Sequence, residues 1–275
     1  MNGKDLLFSK IKTIELLLNE IKEINFDIKA EEINQFAINP LKTFENFITG
    51  KGNNMAVAAC SAVAKNPGKS GKYPTLFIHS THGLGKTHLL HAIANEVSSG
   101  HPDLNVCIIS AKNFMDEMIM LMKKNRINEF VKKYVEKVDI LMIDDIHELK
   151  NKEGTQEQFF HLFNEMHNLG KQLVFTSDQK PSAIEGISSR VKSRLQWGLV
   201  VDIQPPDLKT CVLILRNLTQ KQNFPLKEEI LHLIAESTEH NPRNLESAIL
   251  RIKSASELMN LEVSVDFVKE QLLLI

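Results

Sequence analysis

The sequence predicts an α/β protein in which a parallel five-stranded sheet flanked by helices is followed by a small all-helical domain. From about residue 74, short apolar runs alternate with amphipathic helical stretches, which is the pattern of buried parallel strands and their crossover helices. After Pro205 and Pro206 the strand pattern stops and only helical periodicity continues. We therefore expect an α/β domain over residues 39–205 and a helical domain over residues 206–275.

The predicted strands are five apolar runs, each of a length that suits one strand of a sheet. They are Thr75–His79, Val106–Ile109, Val138–Ile143, Gln172–Thr176 and Leu199–Ile203.

Two helices are predicted from their end signals. Between the third and fourth strands, Thr155 and Gln158 have the spacing of a capping box, and Gly170 is placed to end that helix. Its apolar face would consist of Phe159, Phe163 and Met166. In the helical domain, Asn241 followed by Pro242 predicts a helix start, because proline lacks an N–H group where none is needed.

Residues 1–38 are expected to form an amphipathic helix and a linker. The apolar stripe of this helix consists of Leu7, Ile11, Ile14, Leu18 and Ile21. Two heptads are few for stable self-association, so docking onto the protein's own domain and pairing with a partner helix both remain open.

Composition narrows the class of protein. The charges of the 33 basic and 34 acidic residues nearly cancel, so the chain lacks the overall positive charge of a strong duplex-DNA binder. Cys60, Cys107 and Cys211 lack metal-ligand spacing and are interpreted as small core residues in a reducing compartment. No run approaches the roughly 18 apolar residues of a membrane span and no signal peptide is evident, so we expect a cytoplasmic protein.

The segment from Ser80 to Thr87 has the pattern of a phosphate-binding P-loop. In such a loop, backbone N–H groups and the positive end of the next helix bind phosphate, while a lysine spans the β- and γ-phosphates. A hydroxyl after the lysine ligates Mg²⁺. We therefore predict that ATP or ADP binds here with Mg²⁺. The expected nucleotide-binding residues are Ser80, Thr81, His82, Gly83, Leu84, Gly85, Lys86, Thr87 and His88.

One position departs from the P-loop pattern. Ser80 stands where the pattern has glycine. If this site requires a positive φ, a serine would add about 1 kcal/mol of strain or shift the loop.

Carboxylates follow a buried strand of the predicted sheet. Asp144 and Asp145 come directly after an apolar run, where the first would hold Mg²⁺ together with Thr87 and the second would orient the attacking water. The next strand leads into Asp178, and the carboxyl ends of parallel strands share one edge of a sheet. The sequence thus predicts one ATP site at that edge.

Several segments together resemble the bacterial DnaA family, from about residue 39 to residue 275. They are Asn39-Pro40 with Thr43–Phe47, GLGKTHLLHAI, VDILMIDDI, FTSDQKP, SRVKSR followed by WGL, and NPRNLESAI. The resemblance implies an AAA+ module whose helical domain is a lid over the nucleotide.

The resemblance also implies roles for particular residues. Asp178 would be the first sensor, Arg243 a second sensor that reaches the phosphates from the lid, and residues 47–53 would lie near adenine. Arg194 would be an arginine finger for a neighbouring subunit's ATP, with Arg190 as its companion, although both also suit a solvated basic face. The expected catalytic residues of this weak ATPase are Lys86, Asp144, Asp145, Asp178, Arg194 and Arg243.

The helix predicted over residues 113–124 and the stretch 126–134 resemble the insertion with which DnaA-type initiators line a channel for single-stranded DNA. Ile119 and Lys152 match strand-contacting positions, whereas Gly154 stands where the family often has a basic side chain. Because phosphate contacts require cations, we expect single-stranded DNA to bind weakly.

The leading hypothesis is a DnaA-like ATPase that assembles with itself or with DnaA and acts in initiation of chromosomal replication. The alternative is a regulatory adaptor similar to Hda, which binds DnaA or the sliding clamp and uses nucleotide chiefly as a structural element. Ser80 and the lack of any segment like the family's duplex-reading domain favour that alternative. A helicase loader acting through the N-terminal helix is a third hypothesis.

Overall fold

The computed structural model describes residues 38–68 and 71–273. The predicted amphipathic helix from Leu7 to Ile21 and nearly all of the linker after it lie outside the described residues. No helix in the described part of the chain is long and apolar enough to cross a membrane.

Five parallel strands form one sheet, as predicted. They are β1 (Thr75–His79), β2 (Val106–Ser110), β3 (Ile140–Asp144), β4 (Gln172–Ser177) and β5 (Leu199–Asp202), in the spatial order β2-β3-β4-β1-β5. The third strand begins two residues later than expected, because Val138 still caps the helix before it. Strand β1 lies between β4 and β5, so its carboxyl end has a neighbouring strand on each side.

Ten α-helices accompany the sheet in the described residues. They are α1 (Asn54–Lys65), α2 (Lys86–Gly100), α3 (Ala111–Lys123), α4 (Ile127–Lys137), α5 (Glu153–Asn168), α6 (Ser189–Leu195), α7 (Leu208–Lys221), α8 (Glu228–Ser237), α9 (Pro242–Met259) and α10 (Val265–Leu272). Helices α3 and α4 correspond to the predicted insertion, and α7 to α10 to the predicted helical domain.

The two faces of the sheet have different cores. Alternate strand residues such as Leu76, Ile78 and Val174 pack against α1 and α2. The opposite face carries aromatic rings of α3, α4, α5 and β4, with centroids 4.8 to 6.3 Å apart. These rings belong to Phe114, Phe130, Tyr134, Phe159, Phe163 and Phe175.

Helices α7 to α10 share a separate apolar core, as expected for a small helical domain. Its buried residues include Cys211, Leu215, Ile234, Leu245 and Val268. The boundary at residue 205 remains a prediction, because the whole stretch from Ile38 onward forms a single contact unit.

The predicted capping box of α5 is wrong. The helix begins at Glu153, before Thr155, and its cap residue Lys152 forms no side-chain cap hydrogen bond. Thr155 is instead buried inside the helix. The chain turns helical early because the buried amide of Gln156 donates to the carbonyl oxygens of Leu149 and Gly186, at 2.9 and 2.8 Å.

The other local predictions are confirmed. Gly170 has φ 72° directly after α5, and the Asn241 side chain caps α9 by accepting from the backbone N–H of Arg243 at 2.9 Å. All three cysteines are buried and free. Burial raises the pKa of Cys107 to about 12 and that of Cys211 to about 11. Neither thiol is therefore suited to act as a nucleophile.

Phe114 is the residue of the aromatic core with the largest expected effect on stability. Its side chain is fully buried against Phe130, Tyr134 and Phe159. We expect Phe114→Ala to lower the free energy of unfolding by about 3–5 kcal/mol, measured by urea denaturation. The control Leu258→Ala, at a side chain 87% exposed, should change it by less than about 0.5 kcal/mol. Equal losses in both variants would contradict this description of the core.

Candidate nucleotide-binding site

The loop between β1 and α2 has the backbone of a phosphate-binding loop. Gly83 and Gly85 adopt φ values of 81° and 97°, and Gly85 caps the N-terminus of α2. A Cβ atom at Gly85 would lie 2.6 Å from Cε2 of Phe47. Conformation and space thus both require glycine there, and the N–H groups of the first turn of α2 face the end of the loop.

Ser80 fits the loop without backbone strain. It does not adopt a positive φ, its N–H donates to the carbonyl oxygen of Ser177 at 3.2 Å, and its hydroxyl donates to that of Thr81 at 2.8 Å. Ser80 therefore does not cause the backbone strain expected if this position required a positive φ.

Lys86 begins α2 and is only 7% exposed. Its Nζ donates to the carbonyl oxygens of Ser80 and Thr81, at 3.0 and 3.2 Å. Burial lowers the pKa of Lys86, while the carboxylates of Asp145 and Asp144 act in the opposite direction. The ammonium group is thus fixed at the mouth of the loop.

Thr87 and Asp144 meet across the sheet edge, as predicted. The hydroxyl of Thr87 donates to Oδ2 of Asp144 at 2.6 Å, and the hydroxyl of Thr176 in β4 donates to Oδ1 of the same carboxylate. Two hydroxyls from different elements therefore fix the orientation of Asp144 beside the loop.

The two further predicted carboxylates lie near this pair. Asp145 has a left-handed backbone conformation (φ 57°), and its N–H donates to Oγ1 of Thr176 at 2.9 Å. Burial raises the pKa of Asp145, and the negative charge of Asp144 raises it further. Asp178 follows β4, with Oδ1 3.4 Å from Nδ1 of His147. Asp144, Asp145 and Asp178 all act electrostatically on Lys86.

A pocket of roughly 490 Å³ lies between the loop and the helical domain. Residues of the loop and of α2 from His82 to His88 line one side, and Arg243 of α9 lines the other. Phe47, Ile48 and Asn53 belong to the same lining, which is where the adenine was expected. The volume is in the range of small-molecule sites.

Asn241 joins the helical domain to the loop. Its Nδ2 donates to the carbonyl oxygen of His82 at 2.8 Å, and a Cβ atom on Gly83 would clash with the same amide group. From the sequence, Asn241 was predicted only as a helix cap. No local signal indicated its second contact.

The pocket also contains residues that the sequence analysis missed. Ile214, Leu218 and Lys221 of α7 line it. Their spacing of four and three residues places them on one helical face, so that periodicity could have indicated them.

Arg194 and Arg190 lie on α6 and do not line this pocket. Nε of Arg194 donates to Oδ1 of Asn164 in α5 at 2.8 Å. Of the predicted residues, the structure thus brings together the loop, the three carboxylates and Arg243, and it places Arg194 outside this group.

A phosphate loop after β1, carboxylates after β3 and β4, and a helical domain against the pocket define a P-loop protein of the AAA+ class. The sequence model of one family, described as the bacterial DnaA ATPase domain, matches residues 38–202. The chain belongs to this family.

Relatives cover nearly all of the chain. It is 39% identical over 259 residues to the chromosomal replication initiator protein DnaA of Pelobacter propionicus, an alignment with 94% of this chain and 57% of that protein. Domain III of the Thermotoga maritima replication initiation protein DnaA is 42% identical, with a TM-score of 0.80 over 85% of this chain and 96% of that one. A replication initiator DnaA bound to AMPPCP and single-stranded DNA is 36% identical, with a TM-score of 0.72 over 82% and 69%.

Proposed function

We propose that this chain binds ATP or ADP with Mg²⁺, hydrolyses ATP slowly, and acts in initiation of chromosomal replication through ATP-dependent assembly with itself or with DnaA. The convergence of Lys86, Thr87 and Asp144 at the loop carries this proposal. The names of the relatives support it, although the chain spans only about 57% of the Pelobacter protein.

The phosphates would lie along Gly83–Thr87, where backbone N–H groups and the N-terminus of α2 supply positive charge. Lys86 would exchange its two carbonyl partners for phosphate oxygens, and Arg243 would approach from the helical domain. In this arrangement residues 206–275 act as a lid, which Asn241 already ties to the loop.

The residues beside the loop suit Mg²⁺. Thr87 and Asp144 offer a hydroxyl and a carboxylate within 2.6 Å of each other, and Mg²⁺ prefers such oxygen ligands. No group of three or more His, Cys, Asp or Glu side chains that could hold a metal occurs in residues 38–68 and 71–273. Two protein oxygens with phosphates and water match the usual nucleotide-bound ion, which would neutralise charge on the phosphates.

Asp145 is the residue proposed to orient the attacking water. It lines the pocket next to Asp144, and its carboxylate is held close to Lys86 by the bond from its backbone to Thr176. Asp178 would contact the same region from the end of β4. These side chains position water and stabilise charge, which is most of what phosphoryl transfer requires from a protein.

Asp145→Asn tests the proposed hydrolysis. The amide keeps the size of the side chain but cannot accept a proton, so we expect ATP turnover to fall by about 10²-fold or more while ATP affinity changes little. Phosphate release and equilibrium ATP binding are measured on the same preparation. The control Asp139→Asn changes a carboxylate at the amino ends of the strands, where it accepts from the N–H of Asn105 and pairs with Lys171. Turnover retained by Asp145→Asn would contradict the role of Asp145.

Single-stranded DNA would contact the region of α3 and α5. Ile119 lies on α3, Lys152 caps α5, and Gly154 in the first turn of α5 faces Met122 of α3. These predicted contact positions therefore lie on neighbouring helices. With Lys152 as the main cation among them, the binding should be weak and sensitive to salt.

Gly154→Lys should strengthen binding of single-stranded DNA. A Cβ atom at this exposed position would have only one neighbour, Cε of Met122 at 3.8 Å, so the side chain fits without strain. One added phosphate contact should steepen the dependence of log affinity on log salt by about 0.7, measured by fluorescence anisotropy. The control Gly100→Lys adds the same charge at the last residue of α2, where no atom lies within 4 Å of an added Cβ. Equal gains in both variants would exclude a local contact at residue 154.

The adaptor alternative has no specific observation in its favour. Ser80 does not favour it, since that residue causes no backbone strain. Partners proposed for the N-terminal helix, such as the replicative helicase, involve residues outside the described part of the chain.

A further inference from the structure

Arg194 is held by three side chains. Its Nε donates to Oδ1 of Asn164 at 2.8 Å, and its Cζ lies 4.7 Å from the ring centre of Trp197 and 5.3 Å from that of Phe160. A guanidinium within about 6 Å of an aromatic face is attracted by the charge distribution of the ring. The ring of His167 lies 4.6 Å from that of Trp197 and supports it from α5. One hydrogen bond and two ring contacts thus limit the rotamers of Arg194.

The hydrogen-bond partner of Arg194 is neutral. The amide oxygen of Asn164 accepts from Nε without cancelling the charge of the guanidinium, whereas a carboxylate there would pair with it through two hydrogen bonds. None of the ion pairs described for residues 38–68 and 71–273 includes Arg194. The guanidinium is therefore held in place without an ion pair among the described residues of the monomer.

Trp197 is 50% exposed, although a large aromatic side chain is usually covered unless it serves a contact. Within the described residues, its ring contacts are those with Arg194 and His167. It is also the chain's single tryptophan, so its fluorescence reports on this cluster alone.

We infer that Asn164, Phe160 and Trp197 are positioning residues that hold the guanidinium of Arg194 ready for the phosphates of a nucleotide bound by a second copy of the chain. This inference rests on the proposed ATP-dependent assembly. A flexible arginine would lose rotamer freedom at the moment of association, whereas an arginine already held in the monomer loses less and so binds more tightly.

The test measures the protein concentration at half-assembly with ATP, by light scattering on the full 275-residue chain. Asn164→Asp keeps the acceptor but adds a competing negative charge, and we expect it to raise this concentration about 10-fold. Trp197→Ala should raise the half-assembly concentration about 3-fold to 10-fold. Trp197→Phe, which keeps an aromatic ring, should raise it by less than about 2-fold. In an Arg194→Ala background, measured at protein concentrations raised about 100-fold so that assembly is detected, none of these changes should have a further effect. ATP affinity, measured separately, should stay at the wild-type value in every variant.

The outcomes separate this inference from the proposed function. If Arg194→Ala abolishes assembly while Asn164→Asp and Trp197→Ala assemble normally, the positioning role is overturned. The proposed role of Arg194 as an arginine finger is then still supported. Equal shifts in the Arg194→Ala background would also overturn it, because the residues would then act independently of Arg194. Wild-type assembly by Arg194→Ala, or no assembly of the wild type with ATP, would overturn both.

Fluorescence provides a second test in the monomer with ADP. Arg194→Ala should change the emission of Trp197, whereas Arg216→Ala, which removes an arginine paired with Glu228 in the helical domain, should not. Identical spectra for the wild type and Arg194→Ala would show that the guanidinium is not held against the indole and would overturn the inference.

Discussion

Lys86→Ala should lower the affinity for ATP and ADP by at least about 100-fold. The ammonium group of Lys86 is buried at the mouth of the loop and already donates to two carbonyl oxygens there. When ATP binds, this donor would turn to phosphate oxygens, and two hydrogen bonds from a charged donor contribute roughly 1.5–3 kcal/mol each. The alanine variant cannot form them, so affinity should fall by about two orders of magnitude or more. Titration calorimetry measures the change directly. The stabilisation of the fold by added ATP should disappear with it.

The control for Lys86→Ala is Lys132→Ala, which removes a lysine whose side chain is 70% exposed on α4. It should bind ATP like the wild type. Because Lys86→Ala also removes the donor to Ser80 and Thr81, urea unfolding must show that the variant still folds cooperatively. A folded Lys86→Ala protein with normal ATP affinity would remove the basis of the proposed function.

Arg194→Ala should leave ATP binding intact and weaken ATP-dependent assembly by about 100-fold or more. The guanidinium lies outside its own pocket, so no contact with the nucleotide of the same chain is lost. Across an interface, removing one partner of a close charge pair costs about 2–5 kcal/mol, enough to prevent assembly at micromolar concentrations. Sedimentation with ATP, and ATP affinity measured in parallel, check the two halves of this prediction.

Arg216→Ala is the matched control for Arg194→Ala. Arg216 pairs with Glu228 at 2.5 Å on the surface of the helical domain, and exposed pairs of this kind contribute about 0–1 kcal/mol. Its assembly should therefore resemble that of the wild type. A similar loss in both variants would indicate a general effect of charge and not an arginine finger.

The sheet and the loop were predictable because their signals are local. Strand β1 was predicted with its observed bounds, since an apolar run between polar residues is read directly from the chain. The meeting of Thr87, which follows β1, with Asp144 at the end of β3 followed from a general rule, that the carboxyl ends of all parallel strands in a sheet lie at one edge.

The remaining features depend on contacts between distant residues. Asn241 and His82 are 159 residues apart, and Arg194 and Asn164 are 30 apart. No periodicity or spacing links such pairs, so sequence patterns could not indicate them. The capping box failed for a related reason, because the buried amide of Gln156 set the start of α5 through tertiary contacts.

The most direct test of ATP-controlled assembly is the mass of the protein by light scattering with ATP, with ADP and without nucleotide, each with and without single-stranded DNA. We expect oligomers with ATP and monomers in the other two conditions, because only ATP presents a γ-phosphate to the Arg194 of a neighbouring copy. Single-stranded DNA should increase the mass further at low salt. The same mass in all three nucleotide conditions, in a protein that binds ATP, would contradict assembly controlled by the γ-phosphate.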